Sequence, residues 1–124
     1  MEKYSKDANI TRGSWGERKA TEYLISKKYS IIYNNYSCNI GEIDIIAQDG
    51  EFLVFVEVKL RTRTDKGLPC EFISRAKMHR IIRTAQYFMM GRPELSRLQM
   101  RFDVIEILRL KSGVYMRHTE NAFS

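Results

Sequence analysis

The chain has 124 residues, the size of one domain and too few for a second core of ordinary size. Hydrophobic residues make up 44% and charged residues 29%, which excludes a wholly disordered chain, and Cys38 and Cys70 stand 32 positions apart with no Cys or His at ligand spacing, which excludes a structural zinc site and leaves two free thiols. The longest apolar run is Phe52–Val56 and the N-terminus is polar, so the sequence predicts no spanning helix, no signal peptide, no membrane association and a cytoplasmic location.

Residues 1–12 are polar and aperiodic and read as a flexible N-terminal arm, leaving 13–124 as a single domain. From Ser14 to about Lys28, Trp15, Ala20, Tyr23 and Leu24 fall on one helical stripe, and Ser14 with Glu17 has the form of a capping box. Ile31–Tyr33 with Tyr36 predict a first strand and Asn39–Asp49 a second. Gln48–Glu51 is the turn into a third strand, Phe52–Arg61. Arg63–Glu71 holds Gly67 and Pro69 among charged residues and reads as a loop. Met78, Ile81, Ile82, Ala85 and Met89 recur at helical spacing until Gly91 and Pro93 stop them. Met100–Leu110 predicts a fourth strand, and Val114–His118 a fifth after the turn at Ser112–Gly113. The expected architecture is therefore α/β, in the order α-β-β-β-α-β with one further strand.

The formal charge is +6, and its location is informative. Between Lys59 and Arg83 lie eight basic residues (Lys59, Arg61, Arg63, Lys66, Arg75, Lys77, Arg80, Arg83) against Asp65 and Glu71, while the rest of the chain holds thirteen of each sign. A fifth of the chain thus carries the whole excess, as a surface facing phosphate backbones would, although a solvated helix face and loop give the same pattern.

Charge also sits where apolar residues belong. The period of two in the third strand places Val54, Val56, Val58 and Leu60 on one face and Glu57, Lys59 and Arg61 on the other. In the second strand Glu42 and Asp44 share a face opposite Ile43 and Ile45. Buried ionised groups cost several kcal/mol each unless paired or bound to a metal. Pairing of these strands through Asp49–Gly50 brings Asp44, Glu57 and Lys59 together. Mg²⁺ takes oxygen ligands at about 2.1 Å and needs only one or two carboxylates. Asp44 and Glu57 with the Val58 carbonyl would supply such ligands. Lys59, about 6.6 Å along the strand from Glu57, would orient the attacking water and offset charge developing on a phosphate. A cross-strand salt bridge of Lys59 with Glu57 or Asp44 explains the pattern equally well.

Asp44, twelve intervening residues and then Glu57-Val58-Lys59 resemble the PD-(D/E)XK nuclease superfamily, with Ile43 at the position of its loosely kept Pro. Gly13-Ser-Trp-Gly-Glu-Arg-Lys-Ala20, Gly41–Ala47, Phe55–Arg61, Lys77-Met-His-Arg80 and Arg101-Phe-Asp-Val104 more narrowly resemble the YraN family of small bacterial endonuclease-like proteins, distantly similar to archaeal Holliday junction resolvases. The resemblance spans about residues 13 to 123. It implies a restriction-endonuclease-like core, a mixed central sheet flanked by helices, and a DNA endonuclease using Mg²⁺ or Mn²⁺ on branched or structured DNA. It further implies Asp44, Glu57 and Lys59 as ligands and catalytic lysine, with Glu17 on the first helix entering the site. Resolvases act as dimers, so a homodimer is implied too. The rivals are a catalytically inactive nucleic-acid-binding module and an adaptor docking an acidic protein.

Several residues keep two readings. Glu17 is both a cap and a candidate for the site; Glu42 either assists a metal through water or ends its strand. Lys77, at the edge of the second helix's apolar stripe, can reach the site, whereas Arg80 and Arg83 face outward; Arg61, Arg63, Lys66, Lys77, Arg80 and Arg83 together are read as the contacts to DNA phosphates. Asp103 reads as structural, partnering a buried Arg or a backbone donor. His79 and His118 read as surface residues, and Tyr87–Met90 as core or dimer contact.

Overall fold

A computed structural model describes residues 14–61 and 73–124. They form α1 (Ser14–Ser26), β1 (Ser30–Ser37), β2 (Glu42–Asp49), β3 (Phe52–Arg61), α2 (Arg75–Met90), a 3-10 turn (Pro93–Leu95), β4 (Gln99–Leu110) and β5 (Gly113–Phe123). The five strands lie side by side in chain order. β3 and β4 run parallel and the other neighbours antiparallel, so the sheet is mixed. A parallel pair needs a long crossover, and α2 provides it. The expected α-β-β-β-α-β order is present, followed by β5. The arm at 1–12, the loop at 63–71, Arg63, Lys66 and Cys70 fall outside the described residues. No helix among the described residues is long and apolar enough to cross a membrane.

The central strands β2, β3 and β4 are buried on both faces over most of their length, which is why β3 reads as nearly continuous apolar sequence rather than strict alternation. On one face α1 lays Ala20 and Leu24 over Ile45, Ala47, Val54, Val56, Ile105 and Ile107. On the other, α2 lays Ile81, Ala85 and Phe88 over Ile46, Leu53, Phe55 and Phe102. Phe88 is fully buried and meets Tyr36 and Phe55 edge-on. Truncating it to Ala would cost about 3–5 kcal/mol in transfer and cavity terms. Tyr87 and Met90, beside it in sequence, are exposed.

β2 begins at Glu42 rather than Asn39, and two further boundaries differ from expectation for local reasons. α1 ends at Ser26 rather than near Lys28, because Lys28 adopts φ 75 and turns the chain into β1. β5 runs to Phe123 rather than His118, because its polar second half is fastened to β4: Asp103 accepts the Asn121 N–H at 3.0 Å, and Phe123 pairs with Phe102.

A buried polar network lies on the α1 face of β4. Asp103, fully buried, accepts from Arg101 Nε at 3.0 Å and Nη2 at 2.9 Å, and its Oδ2 stands 2.8 Å from His118 Nε2. His118 Nδ1 takes the Tyr23 hydroxyl at 2.9 Å, and Arg101 donates to the Tyr29 hydroxyl at 2.7 Å. Burial would raise the Asp103 carboxyl, but the His118, Arg101 and Asn121 donors and the guanidinium charge outweigh it and hold the pKa below the ordinary value. Burial, with Asp49 and Glu120 nearby, pushes the Tyr29 phenol up to about 12 against the pull of Arg101. Asp103 is thus structural, as expected. His118 is not a surface residue: its side chain is 6% exposed, held there by the β4–β5 register.

Candidate functional site

The site begins where β2 and β3 part. Their backbone pairing runs from Asp49–Phe52 to Ile45–Val56 and stops. One further step would set Asp44 opposite Glu57, on the α2 face shared by Ile46 and Phe55. Instead the Asp44 carboxylate takes the place of the missing ladder bond, accepting the Val58 N–H on Oδ2 at 2.8 Å. The N–H and C=O of one strand residue point to the same side, so the Val58 carbonyl is directed towards β2 as well.

Glu17 enters from α1, on the opposite face, close enough to Asp44 and Asn35 for both to act on its carboxyl. Asn35 sits in β1 at φ 55, a left-handed conformation that Asn tolerates better than most residues. Ser14's side chain is outside the described set, so the capping box is not visible, whereas the contact of Glu17 with the fork is. Burial raises the Glu17 carboxyl, with Glu42 and Glu57 adding to it and the hydrogen bonds to Asn35 and Asp44 opposing. For Asp44 burial is again the largest cause. The Glu57 and Glu17 charges join it, the Val58 N–H and Lys77 oppose, and the carboxyl is pushed up to about 8.

A cavity of about 220 Å³ opens over Asp44 and Glu57, walled by Gly41, Glu42, Lys77, Arg80 and Ile81. Its roof is the first turns of α2. Ser74 caps that helix by accepting the Lys77 N–H at 3.1 Å. Lys77 reaches back to Glu57, with Nζ 2.8 Å from Oε2. Gly41 lets the roof close: a Cβ there would stand 2.9 Å from Thr84 Oγ1 and 3.0 Å from Arg80 Cγ. Arg80, expected to face outward only, is exposed yet borders the cavity, and Arg83 is exposed one turn on.

Lys59 follows Glu57 by two residues on the same face of β3. It is level with Glu106 on β4, and Glu106 in turn is 3.5 Å from Arg117 on β5. Among the ion pairs of the described residues, the partner of Glu57 is Lys77 and not Lys59. Sequence spacing points to Lys59 because it is near along the strand; Lys77 is eighteen residues further on and reaches the site only through the α2 crossover. One local signal marked it. The first turn of α2 carries Arg75 and Lys77 and no acid, against the preference of a helix N-terminus for negative charge.

As for a metal, the oxygens at the fork are the Asp44 and Glu57 carboxylates and the Val58 carbonyl. Among the described residues no group of three or more His, Cys, Asp or Glu is placed to hold an ion. Two carboxylates suit Mg²⁺ or Mn²⁺, which keep waters and complete their shell with substrate phosphate. Crowded acids under partial burial, one of them held protonated to about pH 8, are what a divalent cation would relieve.

Residues 16–107 match a family model described as "Uncharacterised protein family UPF0102". The chain belongs to that family. It is 42% identical to a UPF0102 protein of Clostridioides difficile strain 630 over 115 residues, covering 93% of this chain and 98% of that one. A UPF0102 protein of Clostridium botulinum strain Loch Maree is 41% identical over 113 residues, 90% and 92% of the two chains, and one of Clostridium acetobutylicum is 41% identical over 117 residues, 93% and 95%. The family match includes Glu17, Asp44, Glu57, Lys59 and Lys77.

Proposed function

We propose that this chain is a metal-dependent DNA endonuclease of the PD-(D/E)XK type that cleaves branched or otherwise structured DNA. The observation that carries the reading is the fork: Asp44 and Glu57 are released from the ladder side by side, under a cavity rimmed by Lys77 and Arg80. Acids at the floor and cations at the rim match the two ends of the task, holding a divalent ion and receiving a phosphate backbone.

Asp44, Glu57 and the Val58 carbonyl would hold the ion, with Glu42 within the same cavity wall. When bound there, Mg²⁺ or Mn²⁺ supplies Lewis acidity towards a phosphodiester oxygen. Glu17, beside the Asp44 carboxyl, would help to position it. Lys59 is the candidate for orienting the attacking water and offsetting charge on the phosphate, and Lys59→Ala should lower cleavage by about a hundredfold. Arg61, Arg80 and Arg83, with Arg63 and Lys66, are the candidates for backbone contacts that position DNA without reading its sequence.

The test is purified protein with linear, nicked, flapped and four-way DNA, with Mn²⁺ and with chelator. Cleavage that needs Mn²⁺ and disappears in Asp44→Asn is the expected result. Absence of cleavage on every substrate, with a melting temperature indifferent to Mn²⁺, would overturn it. A second reading, a DNA-binding module without catalysis, draws on the ion pair that already satisfies Glu57. Salt-dependent DNA binding without metal response would favour that one.

A further inference from the structure

The Lys77–Glu57 contact raises a question that the nuclease reading leaves open. Glu57 has a side chain only 10% exposed, and a cation already stands 2.8 Å from its Oε2, where a metal would need that oxygen. Lys77 itself is 40% exposed. Its stem therefore leads from the cavity to solvent, and its ammonium can leave without disturbing α2. The helix start that holds Lys77 is fixed by the Ser74 cap, so the ammonium is tethered within reach of the cavity whichever way it turns.

We propose that Lys77 is the site's built-in counter-ion: it neutralises Glu57 while no metal is present, is displaced when a divalent ion takes Glu57, and then serves the substrate phosphate entering the same cavity. This rests on the reading of the fork as a metal-dependent nuclease site. Two cations compete for one carboxylate oxygen, so Lys77 opposes metal binding. A phosphate arriving with the metal gives the released ammonium a new partner, so metal and DNA favour one another through Lys77. Linkage makes that coupling reciprocal. Lysine suits the role better than arginine, being a compact charge on a flexible stem without a fixed fork of donors.

Calorimetric titration of Mn²⁺ into the full chain, without DNA, tests the proposal on the parent, Lys77→Met, Lys77→Gln, Lys77→Arg and Asp44→Asn. Lys77→Met should bind Mn²⁺ about tenfold more tightly than the parent, Lys77→Gln should change in the same direction should the methionine variant not fold, and Lys77→Arg should bind no more tightly than the parent. Fluorescence anisotropy of a labelled four-way DNA, with and without Ca²⁺, supplies the second readout: the gain in affinity from Ca²⁺ should shrink in Lys77→Gln. Equal or weaker Mn²⁺ binding by the neutral variants, with Asp44→Asn failing to bind, would overturn the counter-ion role and leave the metal site standing. No Mn²⁺ binding by the parent or by any Lys77 variant overturns both.

Discussion

Asp103 and Asp44 are both acids drawn into one sheet, and their surroundings differ in kind. Asp103, on the α1 face, has both oxygens saturated, receiving Arg101 twice, His118 and the Asn121 N–H. Its pKa is held low. Asp44, at the fork, has one backbone N–H, stands among the Glu57 and Glu17 charges and is pushed up to about 8. A satisfied buried charge network fastens a fold, here β5 to β4; an unsatisfied one carries a cost whose natural relief is a ligand.

The largest expected effect breaks the satisfied side. Asp103→Ala would leave the Arg101 guanidinium, 8% exposed as a residue, with the Tyr29 hydroxyl at 2.7 Å and, among the carboxylates of the described residues, Asp49 at 3.2 Å and Glu120 at 4.0 Å. Loss of about 3–5 kcal/mol is expected in chemical denaturation. The pH dependence follows from the sign of the shift. Asp103 is depressed in the folded state, so its stabilisation is complete above the unfolded carboxylate value of 3.8 and is lost as pH falls through the lower folded value. Acid unfolding of the parent below about pH 4 should therefore be steeper than that of Asp103→Ala.

Asp44→Asn should behave in the opposite way. The Asn oxygen can still accept the Val58 N–H, and a carboxyl that folding holds protonated against its usual ionisation gives way to a neutral amide. A raised carboxyl costs stability progressively as pH rises from 3.8 towards about 8, so at neutral pH the variant should melt no lower than the parent, and by about 2–5 °C higher where the cost is fully felt. Mn²⁺ should raise the melting temperature of the parent and not of the variant. A clear fall for Asp44→Asn in chelator would place Asp44 with Asp103 as a structural acid.

A smaller effect concerns the rim. Arg80 and Arg83 are exposed, so replacing both with Gln should leave stability within about 0.5 kcal/mol. It should flatten the slope of log DNA affinity against log salt by about 0.9 for each phosphate that the variant no longer neutralises. An unchanged slope would remove α2 from the DNA-facing surface.

What the sequence made legible was periodic. β3 and α2 announce themselves by spacings of two and three to four, and Asp44 and Glu57 stand out because they interrupt an apolar alternation. Asp103 was readable as a structural acid partnering a buried Arg or a backbone donor; that the Arg is Arg101, two residues before it, was not. The unreadable parts depend on register between distant segments. His118 is buried only because the β4–β5 pairing carries it to Asp103 and Tyr23, and Lys59 lies beside Glu106 only because β3 and β4 run parallel in one register out of several. Lys77 needed the whole crossover. Glu17 reaches Asp44 from the other face at the point where two strands part, and no local pattern encodes a parting.

Two glycines sharpen the comparison at the smallest scale. Gly16 lies in the first turn of α1, where a Cβ would meet Ile107 Cδ1 at 3.8 Å, Leu60 Cβ at 3.8 Å and Val58 Cγ1 at 3.9 Å, all ordinary van der Waals distances. The added methyl fits, and alanine is the better helix former by about 0.8–1.0 kcal/mol in a helix interior; Gly16→Ala should leave the melting temperature unchanged or slightly raised. Gly41 lies at the mouth of the cavity, where a Cβ would press on the Thr84 hydroxyl, itself donating to the Arg80 carbonyl at 2.7 Å, and on the Arg80 stem. Thr84 is fully buried and cannot give way as a surface side chain would. Gly41→Ala must therefore shift α2 by a few tenths of an ångström, costing about 1–2 kcal/mol and loosening the reach of Lys77 to Glu57. If the α2 roof matters to the fork, metal affinity in Gly41→Ala should change while that of Gly16→Ala stays at the parent value. Equal metal affinity in both variants, with the stability difference intact, would show that the cavity's closeness serves packing alone.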